Sequence, residues 1–192
     1  MTAFDFSVGM LDKLRANMRG LSGSSITVVQ GDWTDINLNE CGWNGAFDLV
    51  LANMTPAIRT PEGLEKLIEA SSNNCYLKTW AEKRRSALLD DIWRMITGTE
   101  PTHRRAPLIY MFNAIYAMGF YPVLDYERVA WTSELTFDEA LAQYVAYAHG
   151  MFGSDEADLR KSIASYLEPI TVNGIITENI TGMTGRMLWK IS

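Results

Sequence analysis

Residues Thr2–Met10 constrain this chain more than any other stretch. Thr2, Ala3 and Phe4 suit a buried strand, Asp5 stands at its carboxyl end, and Ser7 is placed to cap a helix that opens at about Val8. A strand that runs straight into a helix is the first half of a βαβ unit, so the next strand is expected to lie parallel to it through a right-handed crossover.

The first half of the chain repeats that alternation. Leu11, Leu14 and Met18 give the first helix an apolar face, and Gly20 stops it, with Gly20–Gly23 and Ser22–Ser25 as loop. Ile26–Val29 is a short β-branched strand, closed by Gln30-Gly31-Asp32-Trp33. Phe47–Ala52 is a continuous apolar run, the pattern of a strand buried on both faces. Thr60 and Pro61 open a helix striped by Leu64, Leu67 and Ile68, and Cys75–Leu77 forms the centre of a fourth strand ending near Trp80. Helices are expected from about Arg84 to Ile96 and from Pro107 to Gly119, then a strand over Val123–Trp131. Thr136 and Glu139 form a capping box for a helix through Ala148, Ser154 caps another that Pro169 ends, and Arg186–Ile191 is a last strand. The two late strands would suit a terminal hairpin, with the helices between them read as an insertion over the ligand edge of the sheet.

The chain has 192 residues, a net charge of −6 and 47% hydrophobic residues, enough for one domain with a substantial core. Residues 1–80 read as a ligand-binding half and 81–192 as a substrate-side half. An acidic chain argues against nucleic acid and anionic membranes as partners. Its basic clusters, Lys83-Arg84-Arg85 and His103-Arg104-Arg105, suit solvated helix ends or loops. Cys41 and Cys75 lie in no C-x-x-C pattern, which suits free thiols in a reducing compartment. No signal peptide or long apolar run is evident, so a cytoplasmic location is expected. No metal-binding cluster stands out.

Four segments fall at the carboxyl ends of successive strands: Asp5-Phe6-Ser7, Gly31-Asp32-Trp33, Asn53-Met54-Thr55-Pro56 and Thr79-Trp80. Ligands of open α/β sheets bind at that edge, where an acid can take ribose hydroxyls. These residues also carry a resemblance. DFSVGMLDKLR resembles the D-x-S-x-x-M-L segment of class I S-adenosylmethionine-dependent methyltransferases, GDW their acidic adenine-contact segment, and FDLVLANMTPAI their fourth strand and the loop beyond. The order and spacing match over about Thr2–Trp80.

The resemblance implies a Rossmann-like α/β fold with helices on both faces, and S-adenosylmethionine as cofactor. By the same resemblance Asp5 would bind the ribose hydroxyls, with Ser7 beside it. Phe6 and Met10 would pack on the adenine, Gly31 and Asp32 would meet its amino group, and Trp33 would lie beside the ring. Asn53 and Met54 would line the wall near the transferred methyl. Taken alone, Met10 and Trp33 suit a core, Asp5 a turn and Asn53 a loop bond to its own backbone. The family's glycine-rich motif, which belongs to its first strand, has no counterpart here. Three expectations follow: truncation at an internal methionine, supply of that strand by another polypeptide, or closure of the sheet with loss of cofactor binding.

The function implied is methyl transfer to a small-molecule acceptor. The alternative is an inactive methyltransferase-like fragment or interaction module, and a dehydrogenase is a third reading that GDW and NMTP do not favour. A homo-oligomer is a further expectation. His103, Tyr110 and His149 are candidate bases, none of which the sequence selects.

Overall fold

The computed structural model describes residues 1–19, 25–58, 60–82, 84–101, 108–153 and 155–191. The expectations placed on Gly20–Gly23, Lys83, His103, Arg104, Arg105, Pro107 and Ser154 lie outside the described residues. The chain forms two compact units. One comprises Met1–Thr79, Tyr110–Leu124 and Arg186–Ser192, and the other Trp80–Ile109 and Asp125–Gly185.

In the first unit, strand β1 (Thr2–Asp5) passes into helix α1 (Val8–Met18) through Ser7, whose Oγ accepts from the Met10 amide at 3.4 Å. Strand β2 (Thr27–Gln30) then pairs parallel to β1, in the register Thr2↔Thr27 to Asp5↔Gln30. The pattern recurs one unit later. Strand β3 (Phe47–Asn53) leads to helix α2 (Pro61–Ala70) and on to β4 (Ser71–Trp80), which pairs parallel to β3. Thr60 caps α2, accepting from the Gly63 amide at 3.2 Å, and Pro61 occupies the first turn, where its missing N–H removes no bond. Leu64 and Leu67 on α2 are fully buried, as are Cys75 and Leu77 on β4. The C-terminal end of β7 (Ile175–Lys190) closes this unit, with Ile191 N–H donating to the Asn73 carbonyl at 2.9 Å.

Two expectations change here. Among the described residues β1 and β2 form a two-stranded sheet of their own and β3 pairs with β4 alone, so the sheet does not close up across β1 and β3. Nor is β3 buried on both faces: Ala52 is buried, but Leu49 and Leu51, whose side chains share one face of the strand, are 51% and 58% exposed.

The second unit contains β5 (Arg85–Ser86), α3 (Ala87–Thr97), most of β6 (Val123–Thr136), α5 (Phe137–Phe152), α6 (Glu156–Leu167) and the greater part of β7. Helix α4 (Leu108–Ala117) begins here and ends in the first unit. β5 runs antiparallel to β7, and β6 also pairs with β7, which makes this a mixed α/β fold. The capping box at Thr136 and Glu139 is present, and Asp155 caps α6. The core of this unit gathers Ile92, Leu141, Tyr144, Val145, Ile163, Leu167 and Ile176. Ser86 Oγ caps α3 and donates to the buried Glu178 carboxylate. Burial first, and the Glu178 carboxylate second, hold the Tyr144 phenol above its ordinary range.

β7 begins eleven residues before the expected Arg186, at Ile175. Gly182 and Gly185 lie inside it because the chain passes close to bulky groups. A Cβ at Gly182 would meet the Trp80 ring at 2.7 Å, and one at Gly185 would meet Leu108 Cδ2 at 2.3 Å.

Candidate functional site

The first unit brings three strand ends to one edge. Asp5 ends β1, Asp32 follows β2 by two residues, and Asn53 ends β3. Each acid has one carboxylate oxygen fixed by its own turn. Asp5 Oδ1 accepts from the Ser7 amide at 2.8 Å. Asp32 Oδ1 accepts from the Thr34 amide at 2.9 Å and from its hydroxyl at 2.7 Å. Those two bonds, with Lys66 as a weaker contributor, hold the Asp32 carboxyl below the usual carboxylate range. Among the described residues neither Oδ2 has a hydrogen-bond partner, so both remain free to accept from a ligand's hydroxyl or amino group.

The loop that presents Asp32 is tied to α2 at several points. Lys66 Nζ donates to the carbonyls of Trp33, Thr34 and Ile36, each at 2.9 Å. The Trp33 indole N–H donates to the Gly63 carbonyl at 3.0 Å. Phe4 meets Trp33 edge-on, with ring centroids 5.8 Å apart, and Trp43 at 5.7 Å, while Trp43 in turn meets Phe47 at 5.7 Å. Gly31 lies against Phe4, where a Cβ would stand 3.0 Å from the ring. From the sequence, Phe4 and Phe47 are named only as strand residues, and Lys66 and Trp43 are not named. Lys66 sits on the polar side of an amphipathic helix, about thirty residues from its partners, and nothing local marks it.

Between β1 and β3 lies a cavity of about 510 Å³, lined mainly by Met1–Asp5, Trp33, Trp43, β3, Ile58 and Leu67. Of the candidate site residues, Asp5, Trp33 and Asn53 line it. Phe6, Ser7, Met10, Gly31, Asp32 and Met54 do not. Phe6 and Met10 are 65% and 55% exposed at the start of α1. Met54 takes a left-handed φ of 53°, rare for a side chain of its size, and its N–H donates to the Lys78 carbonyl at 2.8 Å. That bend turns the chain sharply after Asn53. Of the candidate bases, Tyr110 is exposed on α4 and His149 lies in the last turn of α5. Among the described residues no group of three His, Cys, Asp or Glu side chains could hold a metal ion, and no helix is long and apolar enough to cross a membrane.

No protein-family model matches the chain, and neither does any curated protein. Solved structures do match. A protein of Bacillus halodurans proposed to be a methyltransferase superposes over 98% of this chain and 81% of its own, with a TM-score of 0.52 at 14% identity. The YcgJ protein of Bacillus subtilis follows at 0.48 and 12% identity, covering 97% and 81%. A Haemonchus contortus phosphoethanolamine N-methyltransferase, solved with S-adenosylhomocysteine, scores 0.47 at 10% identity, covering 98% of this chain and 42% of that one. The first of these carries the structural argument. The chain has a methyltransferase-like α/β fold, and the likeness is one of fold.

Proposed function

We propose that this chain is an S-adenosylmethionine-dependent methyltransferase acting on a small-molecule acceptor. The observation that supports it best is the pair of half-anchored carboxylates, Asp5 and Asp32, at the carboxyl ends of adjacent parallel strands. An adenosine has donors to match that pair: two vicinal hydroxyls on the ribose and one exocyclic amine on the base. In this reading Asp5 accepts from the hydroxyls and Asp32 from the amine. Trp33, its indole held by Gly63, offers a flat face beside the ring. Asn53 and Met54 stand near the sulfonium end, and Gly31, Phe6, Ser7 and Met10 frame the adenosine.

When bound, S-adenosylmethionine supplies an activated methyl for in-line displacement. The task of the protein is then to hold the nucleoside rigidly and align an acceptor, which needs no fixed catalytic set. The net charge of −6 favours a neutral or cationic small acceptor over nucleic acid.

A second reading is an interaction module that has lost cofactor binding, favoured by the six of nine candidate site residues that do not line the cavity between β1 and β3. Calorimetric titration with S-adenosylmethionine and S-adenosylhomocysteine separates the two. Asp5→Ala and Asp32→Ala should each weaken binding by about 1–3 kcal/mol, the worth of a charge-assisted hydrogen bond. No binding by folded protein, or unchanged affinity in both variants, would sink the proposal.

A further inference from the structure

Helix α4 and the turn after it present an aromatic face without charge. From Ala106 to Leu124 the sequence holds no Asp, Glu, Lys, Arg or His, in a chain that is 21% charged. Met111 and Ile115 turn inward and are buried. On the other side Tyr110, Asn113, Tyr116 and Ala117 form an exposed stripe along the helix. Tyr110 and Tyr116 are each more than half exposed, and Tyr121 beyond the helix is 77% exposed. The rings brace one another. Phe112 stacks on Tyr116 at 6.4 Å, and Tyr116 meets Tyr121 edge-on at 5.7 Å. Tyr110 through Leu124 belong to the first unit.

The order of residues on that stripe selects the occupant. Tyr110-x-x-Asn113-x-x-Tyr116 reads the same from either end. A two-fold interface needs that property, because residue i must meet j while j meets i. Two antiparallel copies of α4 crossing at Asn113 set Tyr110 of each against Tyr116 of the other, once on either side of the axis. Asn113 then meets its own copy. A carboxamide carries both donor and acceptor, so each Asn113 Nδ2 can donate to Oδ1 of the other. Among the described residues the Asn113 side chain has no hydrogen-bond partner to compete with that pair. Charge points the same way. Copies with a net charge of −6 repel each other, least where neither presents a charge. A convex helix ridge gives a small molecule no enclosure, and a stretch without cations does not favour an anionic membrane. At ~200 Å² per ring the three tyrosines expose about 400 Å², roughly half of the ~800 Å² that one partner brings to a standard interface. Asn113, Ala117 and Val123, all exposed, add to it.

We infer that this face is a homodimer interface, in which α4 packs antiparallel on α4 of a second copy about a two-fold axis through Asn113. The braced tyrosine rings enter the contact already ordered, so little side-chain freedom is lost on association. The inference stands on α4 alone and holds whether or not the protein binds S-adenosylmethionine.

Analytical ultracentrifugation of the whole chain, with no cofactor added, provides the test. The wild type should sediment as a dimer at about 50 μM. Asn113→Asp and Asn113→Lys each set like charges face to face on the axis, and each alone should weaken dimerisation by about 100-fold or more. An equimolar mixture of the two should restore the dimer, because each Asp then meets a Lys. Circular dichroism checks that both variants keep their helix content. Should either fail to fold, Asn113→Cys in a Cys41→Ser background takes its place. Mild oxidation should then link two chains covalently, since residues on a two-fold axis lie within disulfide reach, while Lys161→Cys on α6 in the same background should give no linked dimer. A monomeric wild type overturns the inference. So does a dimer that survives both charge variants, a mixture that stays monomeric, or linkage as strong at Lys161→Cys as at Asn113→Cys.

Discussion

Lys66 is the residue whose loss should test the site's architecture most directly. Its ammonium donates to three carbonyls of the Trp33–Ile36 loop, all at 2.9 Å. Hydrogen bonds from a charged donor contribute about 1.5–3 kcal/mol each when made singly. Three on one ammonium do not add, because they share one charge and one desolvation cost, and the Thr34 bond is open to solvent. Lys66→Met keeps the stem that packs on α2 and removes only the donors, so the expected loss is about 2 kcal/mol. Urea unfolding should show a lower midpoint with an unchanged slope, since the folded core is untouched. Two local readouts must accompany it. Amide exchange should quicken in residues 33–36 while β4 stays protected. The Asp32 carboxyl should titrate slightly higher, because Lys66 is a lesser cause of its lowered range, after the Thr34 amide and hydroxyl. Asp32 is an acid with a depressed folded value. Its stabilising contribution is present above the unfolded value and lost as pH falls through the folded one, and the variant narrows that window from below. A midpoint within about 0.5 kcal/mol of wild type, with loop exchange unchanged, would refute the claim that Lys66 holds the loop.

Four further outcomes are expected. Cys41 is exposed, whereas Cys75 is buried with its thiol pushed up to about 11, so a thiol reagent near pH 8 should modify Cys41 fast and Cys75 only on unfolding. Because the folded value of Cys75 lies above the unfolded one, its contribution to stability should decline as pH rises from about 9 toward 11, measurable by urea midpoints across that range. Gly182→Ala would drive a Cβ to within 2.7 Å of the Trp80 ring and should cost about 1–3 kcal/mol in the second unit, seen in chemical denaturation with a blue- or red-shifted tryptophan signal. Thr136→Ala removes the hydroxyl that accepts from Glu139 N–H and opens α5, at about 1 kcal/mol by the same assay.

Much of the local structure was legible because it is encoded locally. Ser7, Thr60 and Thr136 cap the helices that their spacing predicts, and Thr60-Pro61 places the start of α2 to the residue. The parallel pairings β1–β2 and β3–β4 followed from strand–helix alternation. What escaped depends on contacts distant in sequence. The first eleven residues of β7, IITENITGMTG, hold polar residues and two glycines and carry no apolar strand pattern, yet those glycines are what let it pass Trp80 and Leu108. The polar start of β4, Ser71–Asn74, pairs through its main chain with Phe47 and Leu49, which side-chain patterning does not register.

The candidate site divides along the same line. The placement of Asp5 and Asn53 at strand ends, and of Asp32 two residues past one, was readable because strand ends are a local property. Whether two strands meet is not. FDLVLA reads as a strand buried on both faces, and its composition would serve that role if a neighbour lay against its open edge. Among the described residues Leu49 and Leu51 line the cavity half exposed instead, while Ala52, between them and Asn53, is buried. Composition states what a strand can bury; which neighbours bury it is settled by pairings distant in sequence, and no local pattern records those.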